Sequence, residues 1–517
     1  ARENNEALPD ETTKNLGATR RFQDLGDLMR GRKTSDGEYD YAAVARRLIL
    51  KIRGARATSL GKKLPSKDDL VLPDGVRRAY ILDSLRHPAE VHLLRHVYQD
   101  AFVLIGVVCE ETTRLERLRK KYKDAGEEAL NKFMERDKEA KEKHGQHVAD
   151  TFHLSDFFVD NTTNSLLEHD VANPEWDTNE KLGRLVKIVT HAAIVRPEMA
   201  EVAMHHAHGA MMQSACLSRQ VGAALVDRAG NVVATGTNEV PKAGGGVYGE
   251  VFPDLAAGKS APKPLDDRCA YRQPDGRKVC SNIKEQNRLI EELVEVVAEL
   301  MALTPEKKKK LIAELSNPRI KERLGSDSGM DEQGLFSDFA AIVDQLNALT
   351  TTDKGELVLK LRKTRIGGLL EFSRAVHAEM DALLSAARQG ISPVGTRLFV
   401  TTFPCHYCAR HLVTAGVDEV QYIEPYSKSQ ALRLHDDAIQ ITISGWKPPS
   451  EGGPKVLFRP FSGVAPRLFG RAFLKDRELK DKNTGLINIG NPDWGTPWHL
   501  RRASYVELET ALARSTQ

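Results

Sequence analysis

Six cysteines in 517 residues are too few for a disulfide scaffold. Two of them, Cys405 and Cys408, lie close together downstream of a histidine, which makes metal binding the better use for them. Aromatic residues are only 6% of the chain, and 75 lysines and arginines nearly balance 72 aspartates and glutamates. Composition therefore gives no basic, aromatic-lined groove of the kind that holds a nucleic-acid strand, and no net field toward anionic lipid. The longest apolar run, 101–109, is about half of what a membrane helix needs, and the N-terminus carries no charged-then-apolar export signal. A soluble, reducing, cytoplasmic setting with no membrane partner is expected.

The length exceeds one ordinary hydrophobic core and predicts two domains. Tyr80-Ile-Leu-Asp83 reads as a short strand that ends in the polar turn Arg86-His-Pro-Ala-Glu90. A helix follows, then a strand at 101–109 whose unbroken apolarity suits a parallel strand covered on both faces. After a charged helical stretch at 112–147, Asp156-Phe-Phe-Val-Asp-Asn161 reads as a third strand, so an α/β layer is expected over residues 1–175. The turn-rich Asn173-Pro-Glu-Trp-Asp closes it. A second domain, 190–517, opens with a helix from Arg196 through Ser214. A hairpin follows, formed by Gly222-Ala-Ala-Leu-Val-Asp and Val232-Val-Ala-Thr-Gly around Arg228-Ala-Gly-Asn. From about 282 to 372, Glu/Lys-rich segments broken at Pro305, Pro318 and 325–329 read as a helical insertion, a solvated lid or an assembly surface.

His377-Ala-Glu379 opens a helix, and Pro404-Cys405-His-Tyr-Cys408 follows a strand at 397–402 and opens another. One imidazole and two thiolates give a zinc ion three ligands and leave the fourth position for water, the open geometry of a catalytic site. The two-residue gap lets one helical turn present both sulfurs, and the helix N-terminus favours their ionised form. H-x-E followed by P-C-x-x-C is the known signature of zinc-dependent deaminases. Zinc would make its water a nucleophile near neutral pH. Glu379, not a ligand, is then free to take that proton, pass it to N3 of a cytosine ring and protonate the amine that leaves C4. His205-His206-Ala-His208 also invites a metal reading, but side chains on one helix need outside partners, and packing or surface roles are expected.

With Cys216-Leu-Ser-Arg-Gln-Val-Gly-Ala-Ala, Gly236-Thr-Asn238 and Tyr422-Ile-Glu-Pro-Tyr426, the zinc motif resembles the deoxycytidylate deaminase family over roughly 198–463, the insertion aside. The resemblance implies a cytidine deaminase-like α/β/α domain with Asn238 in the nucleotide pocket and Tyr426 near the sugar. Ala378 and Pro404, beside the catalytic residues, are further candidate substrate contacts. Taken alone, an asparagine after glycine is a turn residue and a tyrosine near a strand end is packing. A second, structural zinc is implied at Cys216, six residues before Gly222, where some phage relatives place a ligand. Cys269 and Cys280 are then its partners or else ordinary thiols.

Leu370-Glu-Phe-Ser-Arg-Ala-Val-His-Ala-Glu-Met-Asp-Ala-Leu383 and Phe458-Arg-Pro-Phe-Ser-Gly-Val-Ala-Pro-Arg467 extend the similarity over nearly the whole chain to bacterial anti-phage cytosine deaminases. These join a P-loop kinase-like domain, a parallel sheet with helices, to a deoxycytidylate deaminase domain. The resemblance implies conversion of dCTP and dCMP to deoxyuridine nucleotides, depletion of the nucleotide pool during infection, a homo-oligomer, a regulatory deoxynucleotide and, in some members, an inhibitory small RNA. Arg459 and Arg467 are candidate phosphate contacts or ordinary surface residues. A nucleic-acid base deaminase and a nucleotide-sensing regulatory protein are the alternative readings. Partial similarity to nucleoside-monophosphate kinases makes Asp83 and Arg86 candidate nucleotide-binding residues. No G-x-x-x-x-G-K-[ST] occurs, however, and 54–62 has glycine and lysine in the wrong order. The loop either precedes Ala1 or has degenerated, and nucleotide binding for regulation, not phosphoryl transfer, is expected of this domain.

Overall fold

A computed structural model describes residues 15–247, 270–301, 361, 374–489 and 505–515, apart from short gaps inside those ranges. Packing divides the chain into two units, one of Ala1–Met212, Val221–Gly236 and Ala378–Gln517, the other of Gln213–Gln220 and Thr237–His377. The described strands are β1 (Ile105–Val108), β2 (Phe157–Asp160), β3 (Gly222–Val226), β4 (Val232–Thr237), β5 (Ala270–Arg272), β6 (Lys278–Cys280), β7 (Arg397–Thr402), β8 (Glu419–Glu424), β9 (Ile439–Gln440), β10 (Val456–Pro460) and β11 (Gly463–Val464).

The first unit is built on a six-stranded sheet in the order β4-β3-β7-β8-β10-β9. The expected hairpin is β3–β4. Its turn closes through the Asn231 backbone N–H, which donates to Asp227 Oδ1 at 2.8 Å, and through Gly230 at φ +90°. β3 runs antiparallel to β7 with Ala223 opposite Val400, while β7, β8, β10 and β9 are parallel neighbours. Both faces of β3 are buried, as its unbroken apolar sequence requires. On one face Ala224, Val226 and Phe399 pack with Ala203, Met204 and Ala207 of the helix Met199–Met211. On the other, Ala223, Leu225, Leu398, Val400 and Phe458 pack with Ala382 and Ala386 of the helix Ala378–Arg388 and Ala409 and Leu412 of the helix His406–Thr414. Two glycines permit this closeness. A Cβ on Gly222 would lie 2.0 Å from the Ala207 carbonyl oxygen, and one on Gly236 would lie 2.2 Å from that of Ala378. Buried Glu419 ties three strands together, receiving Arg397 Nε from β7 at 3.2 Å and Arg459 Nε from β10 at 2.5 Å.

The N-terminal part differs from expectation in three ways. Tyr80-Ile-Leu-Asp83 forms no strand, because among the described residues nothing pairs with it: Ile81 is 96% exposed and Asp83 faces solvent. The 101–109 run is a strand only over Ile105–Val108, preceded by a 3₁₀ turn at Gln99–Ala101. It is covered on one face: Gly106 sits within Cβ reach of Ser155, Phe158 and Phe152, whereas Ile105 and Val107 are 40% and 57% exposed. β1 and β2 are parallel as expected, with Ile105 opposite Phe157, but the third strand of their sheet is β11, antiparallel to β2.

Packing therefore does not divide near 175–190. The C-terminal residues return to the N-terminal ones. The helix Tyr505–Ser515 packs on the helices Ala43–Ser59 and Pro88–Tyr98. Buried Glu509 accepts two hydrogen bonds from Arg56, both at 2.9 Å, and one from Tyr98 at 2.6 Å. Glu201, fully buried, accepts from Arg184 at 2.6 and 2.8 Å and from the backbone N–H of Val464 at 2.8 Å, joining two helices to β11.

In the second unit β5 and β6 form an antiparallel pair leading into the helix Ser281–Met301, the start of the expected insertion. Pro305, Pro318 and 325–329 lie outside the described residues. Among the described residues no helix is long and apolar enough to cross a membrane.

Candidate active site

His377 immediately precedes the helix Ala378–Arg388, so Ala378 and Glu379 occupy its first turn. Alanines at 378, 382 and 386 keep that helix flat against the sheet. β7 carries the chain through Thr402 and Phe403 to Pro404 and Cys405. Cys405, with extended φ/ψ of −66° and 161°, is the N-cap of the helix His406–Thr414, and the Cys408 N–H donates to its Sγ at 3.4 Å. The Pro404 carbonyl, buried, accepts from Ser429 Oγ at 2.8 Å, which fixes the turn.

The ligand atoms of His377, Cys405 and Cys408 all lie within 4.8 Å of one another; the sulfurs are buried and the imidazole is half-buried. Glu379 is 4% exposed. The Cys408 thiol is pushed well above the ordinary thiol range, first by its hydrogen bond with Cys405, then by burial and by the neighbouring Glu379 carboxylate. Two buried sulfurs and a carboxylate this close call for a divalent cation among them, and the imidazole-plus-thiolate set suits zinc. Three protein donors would hold such an ion and leave room for a water among its ligands.

The other expected residues are placed as follows. Asn238 is 8% exposed just past β4, and its Nδ2 donates to the Arg219 carbonyl at 2.6 Å. Glu239 forms an antiparallel bridge with Val376, which sets Asn238 beside the segment ending in His377. Tyr426 packs, partly buried, against the core of the six-stranded sheet. Arg459 is paired with buried Glu419, while Arg467 is exposed, its Nε 3.9 Å from Asp156. Arg86 likewise pairs with Asp137 and donates to Gln146 at 2.8 Å, while Asp83 Oδ1 accepts from Ser84. Among the described residues His377, Cys405 and Cys408 are the group that could hold a metal. Cys216 is in a loop, Cys280 ends β6 opposite Ala270, and Cys269 lies outside the described residues. His205 stacks on Phe469 at 4.2 Å, the packing role expected of it.

Sequence reasoning missed the loop 213–220 as a built element and the turn after Asn238. Gly244, Gly245 and Gly246 all have positive φ, +85°, +86° and +77°. The glycine triplet in Lys242-Ala-Gly-Gly-Gly246 was the available signal.

Residues 337–424 match the family model of the cytidine and deoxycytidylate deaminase zinc-binding region. This match and the His/Cys/Cys group together support a zinc cofactor. ComE operon protein 2 of Bacillus subtilis is 37% identical over 54 residues, 10% of this chain and 29% of its own length. The deoxycytidylate deaminase of Enterobacteria phage T4 is 40% identical over 55 residues, 11% of this chain and 28% of its own. The chain thus spans less than a third of the curated relatives it matches. Among solved structures, the dCMP deaminase from cyanophage S-TIM5 in complex with dCMP and dUMP aligns with 52% of this chain and 99% of its own, at 16% identity and a TM-score of 0.22.

Proposed function

We propose that this chain hydrolytically deaminates free deoxycytidine nucleotides, dCMP and dCTP, to the deoxyuridine nucleotides. The observation that carries the reading is the convergence of His377, Cys405 and Cys408 within 4.8 Å with a buried carboxyl, Glu379, beside them. The zinc-binding-region match and the two deoxycytidylate deaminases of phages T2 and T4 support it.

When bound, zinc supplies a nucleophilic water at neutral pH. The chain's own residues do the rest. Glu379, held by the first helical turn against the sheet, would take one proton from the attacking water and deliver it to N3, then take the second from the hydroxyl formed at C4 as it becomes the carbonyl and give it to the amine, which leaves as ammonia. Its burial keeps bulk water from competing for that proton.

On the same reading, deamination depletes the deoxycytidine nucleotide pool in defence against phage, and the N-terminal part binds a nucleotide that regulates it. Supporting this, the parallel strands β1 and β2 end at polar residues, with Arg117 donating to the Asn161 carbonyl at 2.6 Å and the Glu110 N–H to Thr162 Oγ1 at 3.0 Å. Carboxyl ends of parallel strands are where such sheets take ligands. The test is a panel of dCMP, dCTP, deoxycytidine and a cytosine-containing oligonucleotide, read by ammonia release. Turnover of the free nucleotides is expected. Turnover of the oligonucleotide alone would replace the reading with base editing of nucleic acid.

A further inference from the structure

We infer that Ser429 is a positioning residue for the metal centre: its hydroxyl holds the turn that carries Cys405 and Cys408 in ligating geometry before the metal arrives, and so sets how tightly the chain keeps its zinc. The inference rests on the zinc and deaminase reading of the site and adds to it the element that prepares the ligands.

β7 is held to β8 up to its last residue, Thr402 opposite Glu424, and the Phe403 N–H still donates to the Glu424 carbonyl at 2.7 Å. At Pro404 the ladder ends, because proline has no N–H to give. The backbone of that residue keeps a single hydrogen-bonding group, its carbonyl, and the residue is buried away from water. The carbonyl accepts from Ser429 Oγ at 2.8 Å, across 25 residues. Its peptide runs directly into Cys405, whose φ is −66°. Fixing the plane of that peptide therefore fixes the direction in which the Cys405 side chain leaves the backbone. Cys408 follows through the helical turn that begins at His406, its N–H donating to Cys405 Sγ at 3.4 Å.

Ser429 is itself tied down. Its N–H donates to the Tyr426 carbonyl at 3.0 Å, and its Oγ accepts from the Ala431 N–H at 3.2 Å. Pro404 offers only an acceptor, so the hydroxyl proton is committed to it while a lone pair serves Ala431. Ala431 is fully buried in the same core cluster as Ala409 and Leu412 of the cysteine-bearing helix, which anchors Ser429 to the body on which that helix rests. The ligands explain the need for a brace. Cys405 and Cys408 are 4% and 1% exposed, with buried Glu379 beside them. Ionised sulfurs and a carboxylate in so confined a space repel one another until a cation joins them. A turn held shut in advance lowers the ordering cost of binding that cation.

The test uses the full-length protein. Ser429→Ala removes the donor and Ser429→Thr keeps it. Thr396→Val is the matched control, because the Thr396 hydroxyl, also buried, donates to the Pro393 carbonyl at 2.6 Å just before β7, at the end of the strand away from the cysteines. Zinc transfer to a chromogenic chelator gives metal affinity, melting of the zinc-free protein gives the stability of the fold, and ammonia release gives kcat and KM for dCMP. Groups that orient metal ligands from behind are worth about 10- to 100-fold, so Ser429→Ala is expected to bind zinc weaker by that factor, with a lower kcat at saturating zinc and an unchanged KM. Its zinc-free melting temperature is expected to fall no further than that of Thr396→Val, which keeps parental zinc affinity, and Ser429→Thr is expected to recover the metal affinity. Parental zinc affinity in Ser429→Ala, equal losses of zinc affinity in Ser429→Ala and Thr396→Val, or a stably folded Ser429→Thr that still binds zinc weakly overturns the inference and leaves the deaminase reading in place. Ser429-dependent zinc affinity in a chain that deaminates nothing in the panel sustains the inference and sinks that reading.

Discussion

Gly236→Ala tests how finely the fold sets the active site. Gly236 is a buried residue of β4 whose Cβ would lie 2.2 Å from the Ala378 carbonyl oxygen, 2.2 Å from the Ala382 nitrogen and 2.9 Å from its Cα. All three are backbone atoms of the helix that carries Glu379, so no side chain can swing away to make room. The backbone angles at Gly236 are ordinary, so the whole effect of a methyl group there is steric. Restoring contact distance requires the helix to retreat by roughly 1 Å, and overpacking of this kind costs about 1–3 kcal/mol. A displacement of about 1 Å at a proton-transferring carboxylate lowers turnover by roughly 100-fold. Gly222→Ala is the matched control. Its Cβ collides at 2.0 Å with the helix Met199–Met211 on the opposite face, which carries none of the metal ligands. Thermal melting and ammonia release on both variants are expected to show similar stability losses but a much larger fall in kcat for Gly236→Ala. Wild-type kcat in Gly236→Ala, or equal falls in both, would refute the idea that this close contact sets Glu379.

Removing the Glu201 carboxylate with Glu201→Ala leaves the backbone N–H groups of Glu198 and Val464 without their acceptor and Arg184 with only the Arg196 carbonyl and a longer pair to Glu198. Losing the buried acceptor of two backbone N–H groups and of the Arg184 pair is expected to lower unfolding stability by about 2–4 kcal/mol, measured in urea; a loss under about 1 kcal/mol would contradict the assigned role. His87 is lowered below its ordinary value of 6.5 by burial and by the charge of Arg30, and its Nδ1 caps a helix by accepting from the Ala89 N–H at 3.1 Å. The folded state then binds fewer protons than the unfolded one, so the stabilising contribution is complete above about pH 6.5 and is lost as pH falls through and below it. His87→Asn keeps a capping acceptor that does not titrate and should shrink the drop in melting temperature between about pH 7.5 and about pH 5.5; an unchanged drop would assign that pH dependence to other groups.

The site was more legible in the sequence than the fold around it. H-x-E and P-C-x-x-C are local patterns whose chemistry follows from spacing within one helical turn each, and the β3–β4 hairpin is fixed by its own turn. What the sequence hid is non-local. β11 pairs with β2 and Glu509 with Arg56 across hundreds of residues, so the return of the C-terminus to the N-terminal helices left no local trace. Arg86 and Arg459 looked like anion ligands because their carboxylate partners, Asp137 and Glu419, are 51 and 40 residues away. Tyr80-Ile-Leu read as a strand by composition, but a strand exists only where a neighbour offers hydrogen bonds, and none does here among the described residues.

The central claim is that Glu379 moves protons beside a zinc ion that it does not hold. The most direct measurement is metal content per chain together with dCMP deamination in the wild-type, Glu379→Ala and Cys405→Ala proteins. Glu379→Ala should retain its zinc at the catalytic site and lose turnover by about 100- to 10,000-fold, the usual worth of a general acid-base group, and Cys405→Ala should lose both. Near-normal turnover by zinc-loaded Glu379→Ala would contradict the account, as would loss of the metal on removing Glu379.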